Sequence, residues 1–545
     1  MRPYYRAALG ARWLQVRLHS SRFTKTWQVS YGIVWYHTNG PIQVESRYQM
    51  FVKLDGPGAL YQQLYHSLRG VILTGQLAPG ARLPATRALA RELGVSRNTV
   101  LLAYEQLLAE GYAVGQAGSG TYVAASLPDA MLATARAAPE VVRTPHPVPP
   151  RLSAYGQHVS MHSPMPPPGD EPRPASVRYD FRYGLPAVEE FPHEIWRRLL
   201  ARRARSASLR SLRYGPPEGY GPLREAIADY LRRSRAVVCE PEQIVVVNGS
   251  QQALDLAARV LLDSGDRVVL EEPHYQGARQ VFLAAGAKIL SGPVDAEGLH
   301  VEALPPAAAE ARLAYVTPSH QFPSGAIMSL ARRLALLSWA EHTDAYVIED
   351  DYDSEYRYEG RPVEAVQGLD RRGRVIYVGT FSKVLFPALR LGYMVLPKPL
   401  VQPFLAAKWL TDRHTSTLEQ EMLTDFICEG HFERHLHRSR TRNAARRAAL
   451  LDALDTYLGS RISISGANAG IHLLVWLHDV EVQQMDTLIE DGARAGIGLY
   501  PVSPYYLSPP SRAGLLLGYA AMTETEIHAG IKGLAGVLNN IHTPF

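Results

Sequence analysis

The sequence predicts two α/β folds in one chain. A small helix-turn-helix with a β wing lies near the N-terminus, and a large domain with a mostly parallel sheet covered by helices on both faces follows. Two observations carry the assignment. Between residues 58 and 123 a tight glycine turn separates two helical segments, and two short strand-like runs follow them. Beyond Arg178, six short runs rich in β-branched residues alternate with helical segments, the pattern of strands buried on both faces. A chain of 545 residues has room for two to four domains. Two cysteines far apart, Cys239 and Cys428, give no disulfide framework and suit a reducing cytosol. No apolar stretch approaches the roughly 20 residues that span a bilayer, so a cytoplasmic protein with no membrane partner is expected.

Residues 1–49 stand apart. Six arginines and one lysine face the single acid Glu45, so this leader accounts for more than the whole net charge of +5. The remainder is close to neutral, and its charge does not argue for nucleic-acid binding. The leader shows no clear periodicity. Its composition resembles a transit peptide, but Met50-Phe51-Val52-Lys53 reads as a natural start. The leader is expected to be dispensable, translated from a mis-assigned start.

The reader comes next, at residues 57–123. Leu60, Leu64, Leu68, Val71 and Ile72 recur at helical spacing through 59–73. After the Leu77-Ala78-Pro79-Gly80 turn, a short helix is expected over 86–93. Gly94-Val95 makes the tight turn, and Ser96 is placed to cap a helix running to about Glu110. Arg97, Asn98 and Thr99 occupy the first turn of that second helix, where side chains meet bases and phosphates. Arg82, Arg87 and Arg91 add cations. Residues 111–114 and 120–123 read as a wing around Gln116-Ala117-Gly118-Ser119. A plain three-helix packing unit would share this outline.

Residues 124–178 are rich in proline (Pro145, Pro147, Pro149, Pro150, Pro164, Pro166, Pro167 and Pro168) and read as an extended linker. The large domain occupies 179–545. Its strand runs are 244–247, 268–270, 313–316, 346–348, 375–378 and 393–396, and polar residues gather at their carboxyl ends, where such folds bind ligands.

Two of those ends define a chemistry. Lys383, in Ser382-Lys383-Val384, follows the run 375–378, and Glu349-Asp350-Asp351-Tyr352 ends the run 346–348. A buried amine beside a buried acid is what pyridoxal 5'-phosphate requires: the amine closes a Schiff base, and the acid keeps the pyridine nitrogen protonated. Adjacent acids on a strand point opposite ways, so only one of Asp350 and Asp351 can serve. Ser382 and Arg390 suit a phosphate. Asn248-Gly249-Ser250-Gln251 opens a helix whose N-terminus attracts an anion. Tyr275 offers an aromatic face. No metal set is expected.

Leu83-Pro84-Ala85-Thr86-Arg87, Val95-Ser96-Arg97-Asn98-Thr99 and Leu107–Tyr112 resemble the GntR-type winged helix-turn-helix. The resemblance implies that Arg87, the Ser96–Thr99 stretch and the wing glycines Gly118 and Gly120 contact double-stranded operator DNA. Residues 179–540 resemble fold-type I aminotransferases. That implies Lys383 as the cofactor-bound lysine and Asp350 as the pyridine partner. It implies Tyr352 at the ring hydroxyl, Tyr275 stacked on the ring, and Ser250, Gln251, Ser382 and Arg390 on the phosphate, with Tyr214 arriving from a partner subunit.

Two departures from the aminotransferase pattern stand out. Phe322 occupies the place of the asparagine that usually touches the ring hydroxyl, with His320 or Gln321 as substitutes. No arginine stands in the strand-like run 515–520, where a substrate carboxylate is normally held; the nearest cation is Arg512. The domain order resembles the MocR/GabR subfamily of bacterial regulators. It implies a head-to-tail homodimer that binds DNA under control of an amine, an amino acid or the cofactor. A working aminotransferase with an accessory reader is the alternative, and transaminase activity is left open.

Overall fold

The computed structural model describes residues 15–20, 23–30, 33–35, 52, 54–128, 150–161, 177–206, 213–359 and 364–541. Contacts divide the chain into two units, residues 1–149 and 150–545.

In the first unit, strands β1 (Gln15–Ser20), β2 (Phe23–Ser30) and β3 (Ile33–Trp35) pair as an antiparallel meander. The sequence reading found no periodicity there, and the register corrects it: cross-strand pairing does not require an apolar alternation. The rest of the leader, and Met50 after it, lie outside the described residues. The reader consists of α1 (Leu60–Leu73), α2 (Thr86–Leu93), α3 (Arg97–Ala109) and the hairpin β4 (Ala113–Gln116) and β5 (Gly120–Val123). Leu64, Leu68, Ile72, Leu89, Val100, Ala103 and Leu107 form its buried core. Val52 also belongs to that core, so the module starts upstream of residue 57.

The second unit opens with α4 (Ala154–Met161), a helix inside the stretch read as an extended linker. It buries none of its residues, in keeping with the poor apolar content there. Residues 129–149 and 162–176, which hold most of the linker prolines, lie outside the described residues. An eight-stranded sheet follows. Its parallel body is β6 (Arg267–Glu272), β7 (Lys288–Asp295), β9 (Ala311–Val316), β10 (Tyr346–Asp351) and β11 (Val375–Thr380). The strands 392–395 and 244–247 complete one edge, the former antiparallel to both of its neighbours. The short strand β8 (Gly298–Leu299) closes the other edge. All six expected runs lie in this sheet.

The sequence reading missed a second, four-stranded sheet. Residues 462–465, 472–477, 513–518 and 500–501 form it, and helices 431–457 and 524–541 contribute to its core. The strand that begins at His472 brings this small sheet to the carboxyl ends of the large one. Among the described residues, no helix is long and apolar enough to cross a membrane.

Candidate functional site

Strand alternation sorts the three consecutive acids of β10. Glu349 and Asp351 face one side. Glu349 accepts from the backbone amides of Val366 and Gln367 and lies 3.8 Å from Arg333. Asp351 accepts from Arg235 Nε at 2.8 Å and from the Tyr377 hydroxyl. Asp350 faces the other side, where its Oδ2 accepts from the Tyr315 hydroxyl at 2.8 Å. Its Oδ1 is buried without a hydrogen-bond partner. Burial pushes the Asp350 carboxyl up to about 7, against the pull of the Tyr315 hydroxyl and the Lys383 charge. Each acid keeps one unpartnered buried oxygen, but only Asp350 faces the Lys383 side; Asp351 faces the other way and is held by Arg235 and Tyr377.

Lys383 stands just past β11, on the same side. Its Nζ donates to Gly184 O at 2.9 Å, and burial holds the amine below its ordinary value. The shift favours the deprotonated amine, which is the nucleophilic form. Asp350 and Asp353 are the carboxylates that oppose this shift.

The phosphate candidates cluster at the strand 244–247. Gly249 takes φ +84°, and a side chain there would sit 3.1 Å from Arg390 Nη2, so only glycine lets the loop wrap the guanidinium. Arg390 donates to Asn248 O at 2.8 Å. Ser250 opens the helix 250–261, and the Gln251 side chain accepts from the Tyr275 hydroxyl at 3.3 Å. Tyr275 is partly buried, and both Asp350 and Arg390 act electrostatically on its phenol. Ser382 is buried at the end of β11, its backbone amide bonded to Thr380 Oγ1. Tyr214 does not join this group. It is 78% exposed, with the Arg413 guanidinium 4.9 Å from its ring. Arg512 is exposed too, stacked 4.4 Å over Trp476 at the rim of an aromatic cluster that includes Tyr183, Tyr505 and Phe322.

Around the Ser319–Gly325 turn the structure chooses between the two expected substitutes for the asparagine. Gln321 is fully used: its Nε2 donates to Glu271 Oε2, Pro273 O and Phe322 O, and its Oε1 accepts from Ser324. Its expected role at the ring hydroxyl is therefore corrected. His320 faces Tyr352 instead, with its Nδ1 3.0 Å from the tyrosine hydroxyl and 2.9 Å from Asp353 Oδ2. Phe322 packs among Tyr183, Tyr352 and Tyr505. Sequence reasoning missed Asp353, Glu271 and His472. Asp353 was visible within the acidic run 349–355, but its partner is 33 residues away.

The reader site is simpler. Ser96 Oγ accepts from the backbone amide of Thr99 at 3.1 Å and lies 2.9 Å from its hydroxyl, so both residues serve the helix cap. Arg97 and Asn98 are exposed on that first turn, and Arg87 is exposed on the first turn of α2. Gly118 and Gly120 shape the wing tip with φ of +74° and +120°.

Comparison with known proteins agrees with both domains. Residues 187–534 match the family Aminotransferase class I and II, and residues 60–123 match the bacterial regulatory proteins of the gntR family. The probable rhizopine catabolism regulatory protein MocR of Rhizobium meliloti is 41% identical over 88% of this chain and 94% of its own length. The pyridoxine biosynthesis regulator PdxR of Corynebacterium glutamicum is 30% identical over 86% of this chain and 94% of its own. The α-aminoadipate aminotransferase LysN of Thermus thermophilus superposes with a TM-score of 0.62 at 31% identity, covering 67% of this chain and 93% of that one. The fold and sites define a GntR-type DNA-binding module joined to an aminotransferase-like domain. The chain belongs to the MocR/GabR subfamily of HTH-type transcriptional regulators. It is a regulator that binds pyridoxal phosphate, and the buried, open Asp350 Oδ1 beside the Lys383 amine fits that group.

Proposed function

We propose that this regulator reads an operator through Arg87, Arg97, Asn98 and the wing, and senses an amine, an amino acid or the cofactor at Lys383. The observation that carries the reading is the buried Lys383 amine, held by Gly184 O, on the same side of the sheet as an acid with one buried oxygen unpartnered. When bound, the cofactor supplies an electron sink and a carbonyl carbon open to amines. The chain's own residues do the rest. Lys383 presents its amine from Gly184 O. Asp350 is ready to hold a proton on a ring nitrogen, which would relieve its burial. Tyr275 would cover the ring, and the Ser250-Gln251 helix end, Ser382 and Arg390 would hold the phosphate. Tyr352 reaches the ring hydroxyl, and Arg512 stands at the effector entrance.

Exposed Tyr214, held by Arg413, would enter the site of a second copy in a head-to-tail homodimer. The protein works in the cytoplasm, and residues 1–49 take no part. Transaminase chemistry is vestigial, because no arginine lies in the strand 513–518 to hold a substrate carboxylate. The test is one titration on the purified, cofactor-loaded full chain. Amines and amino acids are added while the visible spectrum and binding to the DNA upstream of its gene are followed together. An amine that moves both supports the reading; steady turnover with a 2-oxo acid and no effect on DNA would replace it with the enzyme.

A further inference from the structure

The buried group Asp353–His320–Tyr352 is not used by any role assigned above except that of Tyr352 itself. Two elements bring it together, Tyr352 and Asp353 just past β10 and His320 in the turn after β9, and His472, at the start of the strand 472–477, lies beside it. The His320 and Asp353 side chains are essentially inaccessible to solvent. Both Asp353 Oδ2 and the Tyr352 hydroxyl approach the same imidazole atom, His320 Nδ1, at 2.9 and 3.0 Å. One nitrogen cannot accept a proton from tyrosine while it faces a carboxylate lone pair at hydrogen-bond distance. The carboxylate therefore fixes a proton on Nδ1. That proton is shared between two acceptors, Asp353 Oδ2 and the tyrosine oxygen. The tyrosine's own proton is then left to point elsewhere.

Packing keeps this arrangement in register. A side chain at Gly470, where φ is +77°, would fall 2.0 Å from His320 Cε1 and 2.7 Å from Asp353 Oδ2. Gly470 is fixed in turn, its amide bonded to Tyr356 O and its carbonyl accepting from the hydroxyls of Tyr358 and Tyr519. Asp353 and Tyr352 face the imidazole directly, and the carboxylates that act on Tyr352 are Asp353, Asp350 and Asp351 on and past β10 and Glu271 on β6. Lys383 follows β11, and His472, its ring 5.0 Å away, lies on the small sheet. Burial holds His472 well below the ordinary imidazole value, so it adds no positive charge.

Resting on the cofactor reading above, we propose that Asp353 and His320 are positioning residues that stand in for the absent asparagine. They lock the imidazole as the Nδ1–H tautomer, so that Tyr352 acts only as a hydrogen-bond donor to the cofactor's phenolic oxygen. Donation stabilises negative charge on that oxygen. Losing it makes the oxygen more basic, so the proton held beside it at the Lys383 nitrogen leaves at higher pH. His320 and Asp353 also lie with His472 in a set whose ligand atoms fall within 4.8 Å of one another, and His320 Nε2, His472 Nε2 and Asp353 Oδ1 are buried without partners. The relay uses the other atoms, Nδ1 and Oδ2, which are already hydrogen-bonded, and a metal on the unpartnered ones is the rival outcome of the test.

Two measurements test it. In the cofactor-free full chain, imidazole nitrogen NMR should report Nδ1–H at His320, and Asp353→Asn should release that tautomer. A signal that instead changes on chelation, or on adding zinc, would overturn the relay in favour of a metal. In the loaded protein, Tyr352→Phe and His320→Gln should each raise the midpoint of the visible pH titration. One lost hydrogen bond corresponds to about half a pH unit to one. His320→Gln should add nothing in the Tyr352→Phe background. A His320→Gln protein that loads normally with an unmoved midpoint, or that shifts equally in both backgrounds, would refute the proposal. If wild type itself fixed no cofactor on Lys383 after borohydride reduction, the underlying cofactor reading would fail instead.

Discussion

Lys383 and Asp350 make the sharpest residue-scale predictions. Lys383→Ala should abolish the borohydride-fixed label while the fold persists; label on another lysine, found by peptide mapping, would displace the assignment. Asp350 carries a stability signature. Its folded value, about 7, lies above that of an unfolded aspartate, so the native state binds the extra proton. Its contribution is fully present below about pH 4 and is lost as pH rises through 7. Glu271 and Glu355, each also pushed up to about 7 by burial, act in the same direction. The cofactor-free protein should therefore lose thermal stability between pH 5 and 8, and Asp350→Asn should make that decline shallower. Parallel melting curves for the two proteins would show that Asp350 bears no such burden. At this scale the sequence was legible where one residue type has one use, as with Lys383 at a strand end. It was not legible where the partner comes from elsewhere. The choice between Asp350 and Asp351 depends on Arg235, more than a hundred residues away.

At the scale of elements, local chemistry did most of the work in the reader. Thr86–Leu93 was expected to the residue, because Gly94 at φ +66° can end a helix and Ser96 can start the next. Ser96→Ala should cost about 1 kcal/mol of stability, measured by denaturant titration, since the Thr99 amide loses its acceptor. Arg97→Ala should cost about 1–3 kcal/mol of specific DNA binding per reader, with a shallower salt dependence and an unchanged visible spectrum. Intact operator binding in that variant would mean that α3 is not the reading helix. Strand β7 escaped notice because only one of its residues is fully buried and Gly292-Pro293 interrupts it. The strand 472–477 is buried throughout, and a six-residue apolar run cannot be told from a piece of buried helix by periodicity.

For the whole molecule, the sequence disclosed the order of parts better than their limits. The reader core reaches back to Val52, and a helix lies in the proline-rich stretch. A chain beginning at Met50 keeps Val52 and Leu54 and should retain DNA affinity, cofactor loading and melting temperature. A clear fall in any of these would give the leader's meander a function. The small sheet was hidden for a different reason: its central strand 472–477 pairs with 513–518, more than thirty residues further on, and sequence spacing does not reveal which distant strands pair.

The reader's self-contained core has a consequence for the timing of synthesis. About 420 residues of the chain follow Val123, and at about 5–20 residues per second they take roughly 20 to 85 s to make. A module whose buried contacts are all internal can fold as soon as it leaves the ribosome. For most of that interval the nascent protein carries a finished DNA-reading surface and no Lys383. Ligand control therefore begins only when translation ends, and a polysome can hold the reader close to any template being transcribed nearby.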